Sequence, residues 1–156
     1  MINLRQKIDA YPFFSGIDPA HLTLVAQSAS EVAFKTGEVL FREGQPANRF
    51  FLIAKGKVAL EVHDVTDKTV FIEELAAGDV LGWSWLFPPF VWHFQARAVE
   101  PTEAIALDGA HLLIAGERDH DFGYELMKRV AQVVIHRLQA TRRRLLAQQI
   151  ESVLEG

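Results

Sequence analysis

The sequence predicts an α+β chain: an antiparallel, jelly-roll-like β-sandwich from about Glu31 to Asp108, with N-terminal helices before it and one long C-terminal helix after it. Three observations carry this. Between residues 31 and 108, short runs rich in Val, Phe, Leu and Ile are punctuated by Gly37, Gly44, Gly56, Gly78 and Gly82, the pattern of short strands joined by turns. Helical periodicity flanks that region and is absent within it. The 156 residues are 49% hydrophobic and 23% charged, enough to bury one core without a metal or disulfide staple.

Leu4 to Ala10 forms a short amphipathic opening, followed by Tyr11-Pro12-Phe13-Phe14-Ser15-Gly16. Asp18 before Pro19 is a helix start, because the carboxylate caps free N–H groups and proline suits the first helical position. His21 to Gln27 continues that helix, with Leu22, Val25 and Ala26 turned inward. Val58 to His63 and Thr69 to Leu75, joined by the polar stretch Asp64 to Lys68, read as a hairpin. Asp108 is a second N-cap, for a short helix from Ala110 to Ala115 that ends near Gly116.

A long helical pattern then runs from about Asp121 to Leu154. Its apolar positions include Met127, Val130, Val134, Leu138 and Leu145, with Thr141 inside the stripe, and the spacing from Val134 onward resembles a coiled coil. Such a helix extends about 51 Å, whereas a domain of this size is only about 30–35 Å across. The surplus stripe needs a partner, and a second copy is the commonest solution. Residues 1–118 therefore read as a helix-flanked sandwich. Residues 119–156 read as a dimerisation helix of the same domain, with Met127, Val130, Val134, Leu138, Thr141 and Leu145 at the seam.

The absence of cysteine excludes disulfides, thiol catalysis and Cys-ligated metal centres. The net charge of −4 is uneven. Residues 120–156 carry a local +2 and the preceding body −6, which argues against broad nucleic-acid binding. No leader-like or membrane-spanning apolar run is visible, so a cytoplasmic protein without a membrane partner is expected. No serine lies in G-x-S-x-G, no phosphate loop or H-E-x-x-H motif is present, and the histidines are scattered. The chain is read as a non-enzyme with no metal and no cofactor. Arg142-Arg143-Arg144 fan around a helix and cannot form one flat patch.

The most unusual segment runs from Gly82 to Phe94 and holds all three tryptophans within ten residues. Its rings either plug the core or line a pocket or partner-facing patch.

Several segments, in order, resemble the cyclic nucleotide-binding domain, in particular the sensor half of catabolite-activator-type bacterial regulators. Phe13-Phe14-Ser15-Gly16-Ile17 is similar to the family's helical entry. Gly37 to Gly44 and Phe50 to Val58 are similar to its glycine-marked strand pairs, and Arg137 to Thr141 resembles its subunit-pairing helix. Gly78-Asp79-Val80-Leu81-Gly82 fits the turn that opens its phosphate-binding cassette.

In that family a glutamate just after the second glycine takes the ribose hydroxyl, and an arginine roughly ten residues later takes the phosphate. The resemblance places Trp83 and Trp92 at those positions, next to Gly82 and Ser84, with His93 where a small hydroxyl residue is usual. Arg97 falls five residues beyond the arginine position, in the following strand. Thr141 matches a position that reaches the base from the pairing helix, with Arg142 beside it. The family's DNA-binding domain would follow the long helix, and the sequence ends at Gly156, so no direct DNA binding is expected.

Three functions follow from these residues. One is a sensor whose pocket, lined by Gly82, Trp83, Ser84, Trp92, His93, Arg97, Thr141 and Arg142, takes a nucleotide-like or aromatic ligand and does not bind cyclic AMP or cyclic GMP in the usual way. Another is a true cyclic-nucleotide receptor with its phosphate site displaced to Arg97, His93 or Arg142. The last is a ligand-free dimerisation or partner-binding module.

Overall fold

Two aspartates start helices as their side chains dictate in the computed structural model, which describes residues 3–155. Asp18 accepts from the Ala20 amide and leads α2 (Pro19–Gln27). Asp108 accepts from the His111 amide and leads α3 (Gly109–Arg118). Before them, α1 (Leu4–Asp9) begins with reciprocal bonds between Asn3 and Gln6. Met1, Ile2 and Gly156, the outer ends of the two spans read from the sequence, lie outside the described residues.

Eight strands lie between the helices: β1 (Ala29–Phe34), β2 (Val39–Phe41), β3 (Arg49–Lys55), β4 (Lys57–His63), β5 (Thr69–Ala76), β6 (Val80–Leu81), β7 (Gln95–Ala98) and β8 (Thr102–Asp108). They form two antiparallel four-stranded sheets, ordered β1-β8-β3-β6 and β2-β7-β4-β5. The hairpin expected from the sequence is β4–β5, in register from Lys57 opposite Ala76 to His63 opposite Thr69. Phe51 of one sheet stacks on Phe41 of the other at 6.1 Å, so aromatic rings fill the space between the layers. On the first sheet Phe13, in the 3-10 turn Pro12–Phe14, packs on Phe50 at 5.1 Å.

α3 runs through Gly116 to Arg118 and does not end near that glycine as expected. Gly116 and Gly123 mark where α3 and the next helix touch: a Cβ on Gly123 would lie 2.8 Å from the Gly116 carbonyl oxygen. The glycine is there for close approach of two helices, not for a left-handed cap.

α4 (His120–Glu155) is 36 residues long, or about 54 Å. Asp119 caps it, accepting from the amides of Asp121 and Phe122. Phe122, Leu126 and Val130 are buried in the domain's own core, and Val133 and Val134 pack partly against it. Of the residues read from the sequence as a seam, Val130 is 1% exposed within its own domain and Val134 is half-buried. A neighbouring face of the helix carries exposed Tyr124, Met127, Ile135, Leu138 and Leu145. At 100° per residue that row is centred roughly 120° around the helix from the buried one, with Val134 between them. Thr141 is exposed and spends its hydroxyl on the Arg137 carbonyl within the helix.

Candidate functional site

The turn before β6 is pinned to β3 by two backbone bonds, Gly78 N–H to the Ile53 carbonyl and Ile53 N–H to the Asp79 carbonyl, both 2.9 Å. After β6 the chain bends through Gly82, at φ +93°, into a single 3-10 turn from Trp83 to Leu86. A side chain at 82 would sit 2.9 Å from the Arg49 carbonyl oxygen and 3.1 Å from the Trp92 ring. Both the backbone angle and the close packing therefore demand glycine here.

The tryptophans have three different roles. Trp85 is 2% exposed and packs against Phe50 and on the bare α-carbon of Gly109. Trp92 is 4% exposed, stacks on Phe41 with centroids 3.9 Å apart and planes 16° from parallel, and lies against Gly82 through the far end of its indole ring. Its backbone is fixed by bonds to Gln45 and Gly44. Trp83 is half-buried, edge-on to Phe87 at 6.3 Å and tilted over His93 at 6.2 Å.

Gly82, Trp83, Ser84, Trp92 and His93 meet around one crevice, closed by Phe41, Leu60 and Arg137, whose free volume is about 10 Å³. That is about the least that holds one water molecule. Aromatic rings fill the space.

Arg97 is not among them. In the β4–β7 pairing Leu60 lies opposite Ala96 and Ala59 opposite Arg97. Leu60 faces the crevice, so by strand alternation Arg97 points to the other face of the sheet. There it grips Glu61 with both arms, Nε to Oε1 at 3.1 Å and Nη2 to Oε2 at 2.9 Å. Gln95 adds a bond to the same carboxylate, and Arg42 donates to Gln95. The Arg97 hydrogen bonds hold the Glu61 carboxyl below the usual carboxylate range, and Glu61 raises the pKa of Arg97 in return. Thr141 and Arg142 also stand apart, on the exposed part of α4; Arg142 shares a shallow surface with Gln139, Arg143 and Leu146.

Phe41, Leu60 and Arg137 line this crevice and were not among the pocket residues read from the sequence. Arg137 Nε donates to Glu73 Oε2 at 3.2 Å and Nη2 to the Val80 carbonyl at 3.3 Å. Burial lowers its pKa, and the neighbouring Glu73 and Asp79 raise it. The signal was Arg137 lying one helical turn before Thr141, on the face that resembles a ligand-facing one. Among the described residues no cluster of three or more His, Asp or Glu side chains is placed to hold a metal, and no helix is long and apolar enough to cross a membrane.

Residues 31–119 match the family model of the cyclic nucleotide-binding domain. The chain is 23% identical over 95 residues to the CRP-like cAMP-activated global transcriptional regulator of Mycobacterium tuberculosis, covering 61% of this chain and 42% of that protein. It spans less than half the length of the curated relatives it matches. A Geobacter metallireducens protein described as cyclic nucleotide-binding has a similar crystal structure, with a TM-score of 0.79 at 28% identity over 88% of this chain and 99% of that one. The Thermus thermophilus catabolite activator protein shares the fold at a TM-score of 0.69 and 24% identity, over 90% of this chain and 64% of its own.

Proposed function

This chain belongs to the cyclic nucleotide-binding domain family, and we propose that it is a non-catalytic sensor or regulatory module that does not take cyclic AMP or cyclic GMP in the family's usual manner. One observation carries the reading: the Trp92 ring, stacked on Phe41 and close against Gly82, takes up the crevice that would have to receive the sugar-phosphate. A phosphate there also has no arginine at position 92 and no carboxylate at position 83 for the ribose. Losing two charge-assisted hydrogen bonds costs about 3–6 kcal/mol, on the order of a hundredfold to ten-thousandfold in affinity. The reading with a phosphate site displaced to Arg97 is disfavoured, since that guanidinium is held by Glu61 on the far face of the sheet.

The module works as a homodimer in this proposal. The exposed row Tyr124, Met127, Ile135, Leu138 and Leu145 supports it, because a continuous apolar helix face seeks cover and a two-fold copy supplies the matching row.

Calorimetric titration with cyclic AMP and cyclic GMP tests the ligand reading. No saturable heat is expected at micromolar nucleotide. A low-micromolar dissociation constant for either would overturn it.

A further inference from the structure

A second cleft lies on the other flank of α4, between that helix, the 3-10 turn Pro12–Phe14 and the β5–β6 turn. We infer that it is a binding site for a small organic phosphate. This inference does not depend on the closed crevice and stands or falls separately from it.

The cleft encloses about 480 Å³, within the range of small-molecule sites. α4 supplies Arg129, His136, Arg137 and Arg143, and the opposite wall supplies Glu73 and Asp79. Arg129 is paired with Glu125 and Arg137 with Glu73, so Arg143 is the one arginine of the lining with no acidic partner among the described residues. Both acids of the opposite wall are already engaged. Glu73 accepts from Arg137, and Asp79 Oδ2 accepts from the Ala76 amide at 2.8 Å.

Two of the cations are fixed in advance. Arg129 Nε donates to Glu125 at 3.0 Å and Nη1 to the Phe13 carbonyl at 2.6 Å. Arg137 is held by Glu73 and Val80, and both side chains are largely buried, at 15% and 11% exposure. A guanidinium has five N–H donors, so each keeps donors beyond those it spends on the protein, and their ordering cost is met before a ligand arrives. Arg143 and His136 are exposed and make no side-chain hydrogen bond or ion pair among the described residues. Helical side chains lean towards the N-terminus, which brings Arg143 back towards His136 and Arg137.

Arg137, His136 and Arg143 span about 10.5 Å of the helix, and donors from three side chains match the three terminal oxygens of a phosphate better than the two of a carboxylate. The remaining lining, with Pro12, Phe13 and Val133, suits the organic part of the ligand. A nucleic-acid backbone fits poorly, because Asp79 and the acidic body border the cleft.

The test follows backbone amide shifts in a nuclear magnetic resonance titration of the full chain at low salt, with inorganic phosphate and with phenyl phosphate as probes. Saturable shifts confined to residues 13–14, 73–80 and 129–143 are expected, with phenyl phosphate binding more tightly than phosphate. Binding should weaken by about tenfold or more when His136→Gln and Arg143→Gln are combined. Both positions are exposed, so the circular dichroism spectrum should not change. Shifts that never saturate, or the same affinity in the double variant, would overturn the inference. So would saturable shifts centred on residues 82–94, and that outcome would count against the closed crevice as well.

Discussion

Arg137 of α4 donates at 3.2 Å to Glu73 of β5 and at 3.3 Å to the carbonyl of Val80. One guanidinium thereby joins the long helix to β5 and to β6, the strand that leads into the tryptophan-filled crevice. A second contact continues the line: the Arg144 guanidinium sits 5.0 Å above the Phe71 ring, two residues back along β5. The helix is thus tied to the sandwich beyond the last fully buried residue on it, Val130.

Glu73→Gln should release this tie and leave a largely buried arginine without its counter-charge. A loss of about 1–3 kcal/mol is expected in urea denaturation. Hydrogen exchange should rise in residues 137–150 while the strands stay protected. Uniformly faster exchange across the whole domain would contradict a local role.

Glu61 sets a pH dependence. Its carboxyl titrates lower in the folded protein than in the unfolded chain, chiefly because Arg97 hydrogen-bonds its ionised form and despite burial acting the other way. Folding therefore favours the carboxylate. The contribution is complete above the unfolded glutamate pKa of about 4.3 and vanishes as pH falls through the lower folded value. Glu61→Gln should lower the urea midpoint at pH 7 and flatten its decline through that acid range. An unchanged acid limb in the variant would show that Glu61 is not its source.

Gly82→Ala places a methyl against a backbone oxygen and the Trp92 ring, at a backbone angle that L-residues resist. The combined strain is about 2–5 kcal/mol. The loss should appear as a lower unfolding midpoint together with altered tryptophan fluorescence. Trp92→Ala should cost about 3–5 kcal/mol through the cavity it opens, and Trp83→Ala, at a half-exposed site, distinctly less. Equal losses at the two positions would contradict the packing described for them. Trp83→Glu combined with Trp92→Arg should restore measurable cyclic-nucleotide binding if the turn keeps the family's shape.

The two faces of α4 predict opposite phenotypes. Leu138→Glu, on the exposed row, should leave the fold intact and shift sedimentation from a dimer toward the 17.5 kDa monomer. Val130→Glu, inside the domain, should unfold the protein instead. A wild-type chain that sediments as a monomer at micromolar concentration would remove the basis for the first half of this pair.

The sequence by itself determined the architecture. Caps such as Asp18 and Asp108, the turn glycines and the period of the apolar residues are local signals, and each acts within a few residues of where it is read. It also marked Trp83 and Trp92 as unusual occupants of their positions, since a register counted along one cassette is local too. Tertiary structure decided what those rings do. Whether Trp92 lines a cavity or fills it depends on Phe41, 51 residues away in the chain, which meets it face to face. The direction of Arg97 was settled by its pairing across from Ala59, and its occupation by Glu61, 36 residues earlier. The division of α4 into a buried and an exposed face was settled by where the sandwich lies against it. An apolar period shows that a helix has a face to cover, but only packing reveals which row the protein covers itself.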